Sequence, residues 1–412
     1  PKFSRVVSRE EIRSNDYNLN IPRYVDSSEA AEHWDVYASM FGGIPTAEIE
    51  ELGEFWTAFP ALKKALFTES GIPYVNVSVD DIKSAIKSHP DVVGFEDAFN
   101  AAFSTFPAFL KEELIDRMES IEISKAETVL SADIFERLKD IPLIDKYAAF
   151  QLLDDDWTGI SIDLEVLQTE GFSATKEVDP NLVIKKKDGK DQEVQEGWVG
   201  HIIPFDLVQA TLLSAETDEL HGLESRLAEI PSEYESILDE MTEEDKESCN
   251  DVLTEEGDAF VPKEVSKKIK ELKKDRSPES VALRTLLEKV ESLVKSEKEI
   301  KAEIKAKSAA LQAKTKDTIE SLSDEQALDL LEKKWIAPLI ESIHKLPDTV
   351  IDSLVSKIQA LQNKYATTFF EVEQQISETE ATLSGMIDDL EGNEYDMLGL
   401  NELKKLLGGS AE

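Results

Sequence analysis

The densest concentration of potential ligands is Asp154-Asp155-Asp156, followed at once by Trp157. Adjacent carboxylates could hold a divalent cation through hard oxygen donors. The same residues also describe a solvated helix end with Trp157 anchored in the core, and that is the expectation here. The five histidines, His33, His89, His201, His221 and His344, lie far apart, with no His-x-x-x-His and no cysteine beside them, so zinc-ligand spacing is absent. Cys249, the single cysteine, sits in a run of Glu, Asp and Lys. It reads as a lone thiol suited to a reducing cytoplasm. With 86 Asp and Glu in the chain, carboxylate pairs arise everywhere by chance, and none is singled out for acid-base work. Methyl transfer from S-adenosylmethionine to a base amino group requires a glycine-rich turn after a strand and an Asn or Asp followed by Pro-Pro and an aromatic. The chain contains no Gly-x-Gly and no Pro-Pro. A phosphate loop and a dinucleotide fingerprint are excluded with them, since both need closely spaced glycines. No catalytic, cofactor-binding or metal-ligating residue is therefore expected.

What remains is a long scaffold of elements. The 412 residues, 41% of them apolar, suffice for two or three domains with a substantial core. No uninterrupted apolar run approaches the roughly 20 residues of a membrane span. The formal net charge of −41 sets up a field that repels phosphate, so most of this surface should not lie on nucleic acid. Yet four of the nine arginines, Arg5, Arg9, Arg13 and Arg23, crowd into the first 23 residues. The start, Pro1-Lys2-Phe3-Ser4-Arg5, has neither an initiator Met nor an apolar signal core, which leads us to expect a piece of something longer.

Four segments are expected. Residues 1–26 read as a tail, strand-like at Val6-Val7 and then punctuated by Asn, Asp and Pro. Residues 27–170 read as a helical domain, with starts at Ser27 or Ser28, Thr46, Ser78 and Ser131, each ahead of early acids. Its apolar positions include Ile82, Ile86, Phe99, Phe103, Phe106, Leu110 and Leu114. Residues 171–204 switch to period two. Leu182-Val183-Ile184 leads through a turn at Asp188-Gly189 back to Val194 and Trp198-Val199-Gly200, a hairpin signal.

Residues 205–412 are helical, with three apolar stripes whose spacing alternates between three and four. The first runs Leu220, Leu223, Leu227, Ile230, Tyr234, Ile237 and Met241, with a kink or restart expected at Pro231. The second runs from Leu283 to Leu311, and the third from Ile351 through Leu354, Ile358, Leu361, Tyr365, Val372 and Leu383 to Leu390. Residues 243–278 form a connection carrying a short helix. The fold class expected is mainly α: a helical domain with one small antiparallel hairpin, then long helices in an antiparallel, coiled-coil-like bundle.

The segment from Val7 to Asp26, with its run Asn15-Asp16-Tyr17-Asn18-Leu19-Asn20-Ile21-Pro22-Arg23-Tyr24, closely resembles the stretch that follows the catalytic core in modification subunits of type I restriction-modification systems. Tyr147-Ala148-Ala149-Phe150-Gln151-Leu152-Leu153 with Trp157 is similar to another segment of that family. So are Leu330-Leu331-Glu332-Lys333-Lys334-Trp335-Ile336 with Pro338, Leu346-Pro347-Asp348, and the closing Met397-x-Gly399-Leu400-x-Glu402-Leu403. Residues 40–140 carry no recognised match.

The resemblance implies the portion of an N6-adenine DNA methyltransferase subunit that lies after its catalytic domain. The S-adenosylmethionine loop and the Asn-Pro-Pro-Phe motif belong to that domain, so this chain would be inactive alone. The implied partners are a specificity subunit, a second modification subunit, a restriction subunit and, through the complex, DNA; no membrane is implied, and the setting is a bacterial cytoplasm. Trp335 and the stripe formed by Ile351, Leu354, Ile358, Leu361, Tyr365, Val372, Leu383 and Leu390 are expected to dock to the specificity subunit. Arg9, Arg13, Arg23 and Tyr24 are expected near DNA, with surface solvation as the plainer alternative for the arginines. Two rival readings stand beside this one: a free-standing acidic helical scaffold, and an acidic DNA mimic that inhibits restriction enzymes.

Overall fold

The computed structural model describes residues 6–25, 33–69, 73–187, 190–254, 256–275 and 277–407. Arg5, the helix starts at Ser27 and Ser28, and the Asp188-Gly189 turn lie outside them. The chain is mainly α-helical and divides into two compact units, one of residues 1–99, 141–144 and 347–412, the other of residues 100–140 and 145–346. Both units join stretches that the four sequence segments keep apart.

In the first unit the tail is not strand-like. Ser8 Oγ accepts from the Glu11 amide at 3.2 Å and starts a helix, Arg9–Ser14, with Glu10 and Glu11 in its first turn. A 3-10 turn, Ile21–Arg23, follows. Nor is the next region purely helical. Tyr74–Val77 pairs antiparallel with Ile44–Pro45 on one side and Phe67–Glu69 on the other, in register Ile44↔Val75 and Phe67↔Val77. Strands of two to four residues are too short to reveal a period of two. Thr46 opens a helix without a side-chain cap, whereas Asp81, three residues beyond the expected Ser78, caps Ile82–Lys87 through the Ser84 amide. The core places Phe55, Phe59, Ile82 and Ile86 against Ile351, Leu354, Val355 and Ile358 of the Leu346–Lys364 helix.

In the second unit Ile123–Arg137 packs along Lys146–Glu170, and Ser131 lies inside the former rather than at its start. Asp145 caps the latter helix, so Asp154-Asp155-Asp156 sits mid-helix and not at an end. Gln151 donates to Asp154 and Asp155, while Trp157 is buried as expected. The hairpin pairs Val178–Lys187 with Lys190–Gly200. At its base His201 lies 2.6 Å from Asp179 and 3.1 Å from Glu170, and the hydrogen bond to Asp179 raises its pKa. Gly200 admits no side chain, because a Cβ there would lie 1.7 Å from the Ile203 carbonyl oxygen.

Two long helices, Ser214–Glu240 and Pro278–Glu320, lie antiparallel. Their order is fixed by Glu240 with Lys289 at 3.2 Å, Tyr234 with Glu297 at 3.1 Å, and Glu219 with Lys307 at 2.5 Å. The first two stripes thus find their partner within the chain. Pro231 neither breaks nor restarts its helix; it is exposed, so water can satisfy the carbonyl that its missing N–H leaves unpaired. Residues 243–278 add Glu243–Ser248 and Pro262–Leu272, the latter packing on the long helix over buried Cys249, Val265, Ile269 and Leu287. Burial pushes the Cys249 thiol above its ordinary pKa.

Candidate interaction surface

The third stripe does not run as one element. It breaks at Ala366-Thr367-Thr368, and the two halves meet opposite fates. Upstream, Ile351, Leu354 and Ile358 are 0% exposed and Tyr365 is 4% exposed, all within the core of their own unit; Leu361 is half-buried. The Tyr365 hydroxyl donates to Glu48 and accepts from the Asp35 amide, and burial raises its pKa. Lys364 pairs with the same Glu48 at 2.9 Å. These residues offer a partner no face, and the expectation of a continuous docking stripe is corrected there.

Trp335 is likewise interior. Pro338 cannot donate to the Lys334 carbonyl, and the preceding turn, Glu332–Ile336, widens to a π-helical one. The wider turn brings consecutive side chains to one buried carboxylate: Trp335 Nε1 donates to Asp163 at 2.7 Å, and Lys334 pairs with the same oxygen and donates to the Ile202 carbonyl. Trp335 thus staples the second unit from within.

Downstream the picture reverses. Thr368 and Glu371 form a reciprocal capping box, at 3.1 and 3.0 Å, that starts Phe369–Asp388. Along this helix Phe369, Val372, Ile376, Thr379, Leu383 and Met386 alternate three and four apart, and Leu390, just past its C-cap, continues the spacing. Their apolar members are 60, 38, 53, 45, 63 and 51% exposed in that order. The neighbouring stripe, with Ser384 and Ile387, is the one buried. Beyond it Glu394–Leu406, tied back by Lys404 to Asp388 at 2.7 Å, exposes Tyr395, Leu398 and Leu406. The short Val36–Phe41 helix, which packs beside Phe369–Asp388, adds exposed Val36, Tyr37, Met40 and Phe41. This exposed apolar face is the candidate contact surface of the chain. Val372, Leu383 and Leu390 were legible in the sequence. Phe369, Ile376 and Met386 were missed, although the same three-and-four spacing includes them.

The N-terminal segment of this unit is ordered by its own polar side chains. Asp16 and Tyr17 take left-handed backbone, with φ of 55° and 54°. Arg13 Nε donates to Tyr17 Oη at 3.2 Å, Asn18 Oδ1 accepts from the Asn20 amide at 3.0 Å, and the Tyr24 hydroxyl donates to the Asn18 carbonyl. Backbone conformation is thus one reason for the unusual run of Asn, Tyr and Asp. Arg9, Arg13 and Arg23 are exposed and Tyr24 is half-buried.

Among the described residues no group of His, Cys, Asp and Glu could hold a metal ion, and no helix is long and apolar enough to cross a membrane. The family model for N-6 DNA methylases matches residues 1–33, a stretch that includes the segment just described. No curated protein and no solved structure matches the chain.

Proposed function

We propose that this chain is the portion of a type I restriction-modification system's modification subunit that lies after the catalytic domain, and that its C-terminal helices dock the subunit to the specificity subunit. The link to adenine methylation is supported by the N-6 DNA methylase match at residues 1–33 and by the motif-like run from Asn15 to Tyr24 within it. The observation that carries the docking role is the exposed Phe369–Leu390 stripe, whose three-and-four apolar spacing is left largely open to solvent. S-adenosylmethionine and the transfer chemistry belong to the catalytic domain. On this reading the present chain contributes assembly, and the second modification subunit, the restriction subunit and DNA are reached through the complex.

Light scattering with size exclusion, on this chain alone and mixed with the specificity subunit, tests the proposal. A stable mixed complex is expected, lost in Ile376→Asp/Leu383→Asp, whose changes lie on the exposed face. Separate elution at micromolar concentration would sink the docking role. Arg9, Arg13 and Arg23 are proposed to lie near phosphate. Changing them to Ala in the full-length subunit should lower DNA affinity and its salt slope.

A further inference from the structure

The charges beside the stripe specify what can cover it. From Tyr365 to Leu403 there are ten Asp and Glu and not one Lys, Arg or His. If the alternating apolar positions of Phe369–Leu390 are taken as the a and d sites of a heptad, the flanking e and g sites include Glu373, Glu380 and Asp389 and no cation. A second copy of the same stripe would bring no cation to these acids, whereas a partner with cations at its e and g sites would pair them.

The chain itself supplies a precedent for the complementary arrangement. Ser214–Glu240 carries nine Asp and Glu against one Arg, and its partner Pro278–Glu320 carries nine Lys and Arg beside eight Asp and Glu, with lysines placed at the seam. Lys289, Lys307 and Lys314 reach across that seam to Glu240, Glu219 and Glu216. Where this molecule pairs an acidic amphipathic helix, it does so with lysines.

We propose that the occupant of the Phe369–Leu390 stripe is an amphipathic α-helix of about three heptads whose apolar stripe is flanked by Lys and Arg, and that the stripe is not a self-association surface. The proposal rests on the docking reading above only in treating the stripe as a contact face.

The test uses this chain with three synthetic helical peptides: one with Leu and Ile at a and d and Lys at e and g, one with Glu at e and g, and a scrambled peptide of the lysine composition. The lysine peptide is expected to bind at least about tenfold more tightly than the other two and to weaken as salt shortens the screening length. It should lose binding to Ile376→Asp/Leu383→Asp, although those changes add negative charge. Equal binding of the glutamate peptide, equal binding of the scrambled peptide, or a dimer of the chain alone that Ile376→Asp abolishes would each overturn the proposal. Competition against the specificity subunit separates the two claims. A specificity-subunit complex that is insensitive to salt and to the lysine peptide leaves docking standing and removes the charge rule. Tight lysine-peptide binding with no specificity-subunit complex does the reverse.

Discussion

The second unit's paired helices and the first unit's Phe369–Asp388 helix carry the same three-and-four apolar rhythm, yet one stripe is internal and the other faces outward. In the pair, Ile237, Leu287 and Val290 are 6, 0 and 0% exposed, and opposite charges lie across the seam. In Phe369–Asp388 the apolar members of the stripe are 38 to 63% exposed, and every charged residue of that helix is acidic. Periodicity states that a helix has an apolar face to cover. Charge beside that face, and the presence of a complementary helix in the same chain, decide what covers it.

Substitutions at matched positions turn this contrast into numbers. Leu287→Ala, in the covered seam, should cost about 2 to 5 kcal/mol in chemical denaturation, the range for emptying a buried leucine site. A loss within about 0.5 kcal/mol, as at a surface position, would mean that the seam is not packed. Trp335→Phe withdraws the indole donor from buried Asp163 and leaves a small cavity where the larger ring was. A loss of about 1 to 3 kcal/mol is expected, with complex formation by the folded variant unchanged. If the specificity-subunit complex were lost while the fold persisted, Trp335 would return to the docking face.

Tyr234 tests the covered seam by pH. Burial, then its hydrogen bond to Glu297, pushes its pKa up to about 12. The unfolded chain releases this proton near pH 10 while the folded chain holds it, so the tyrosine's contribution is full below about pH 10 and lost as pH rises towards 12. Tyr234→Phe should flatten that part of the stability curve; an unchanged slope would place the hydroxyl outside the seam. The smallest effect belongs to Ile376→Ala, within about 0.5 kcal/mol of the parent in the isolated chain because the side chain is already in water. A loss as large as that of Leu287→Ala would show the stripe to be covered.

Much of this architecture is written in local order. The hairpin, the stripes in Ser214–Glu240 and Pro278–Glu320, and the buried Ile82, Ile86, Phe99, Phe103, Phe106, Leu110 and Leu114 follow from spacing, because burying one face of a helix or ribbon imposes a period that single residues reveal. The three-stranded sheet was not legible, since its strands are too short to alternate and are held by distant neighbours. The helix at Arg9–Ser14 was missed where Asn and Pro beyond it suggested only a loop, although Ser8 with Glu10 and Glu11 carried the capping signal. The acids at 154–156 were assigned to a helix end because charge clusters there often are, but Asp145 had already started the helix.

The amino-acid order by itself determined that the chain is mainly helical, that its helices have apolar faces, and that every charged residue between 365 and 403 is acidic. Only the tertiary structure decided which of those faces are used internally. Ile351, Leu354, Ile358 and Leu383 have the same kind of spacing, and that spacing does not distinguish the three that pack into a core from the one that faces outward. That distinction depends on residues such as Phe55 and Phe59, hundreds of positions away, because burial is a property of what surrounds a side chain and not of the side chain itself.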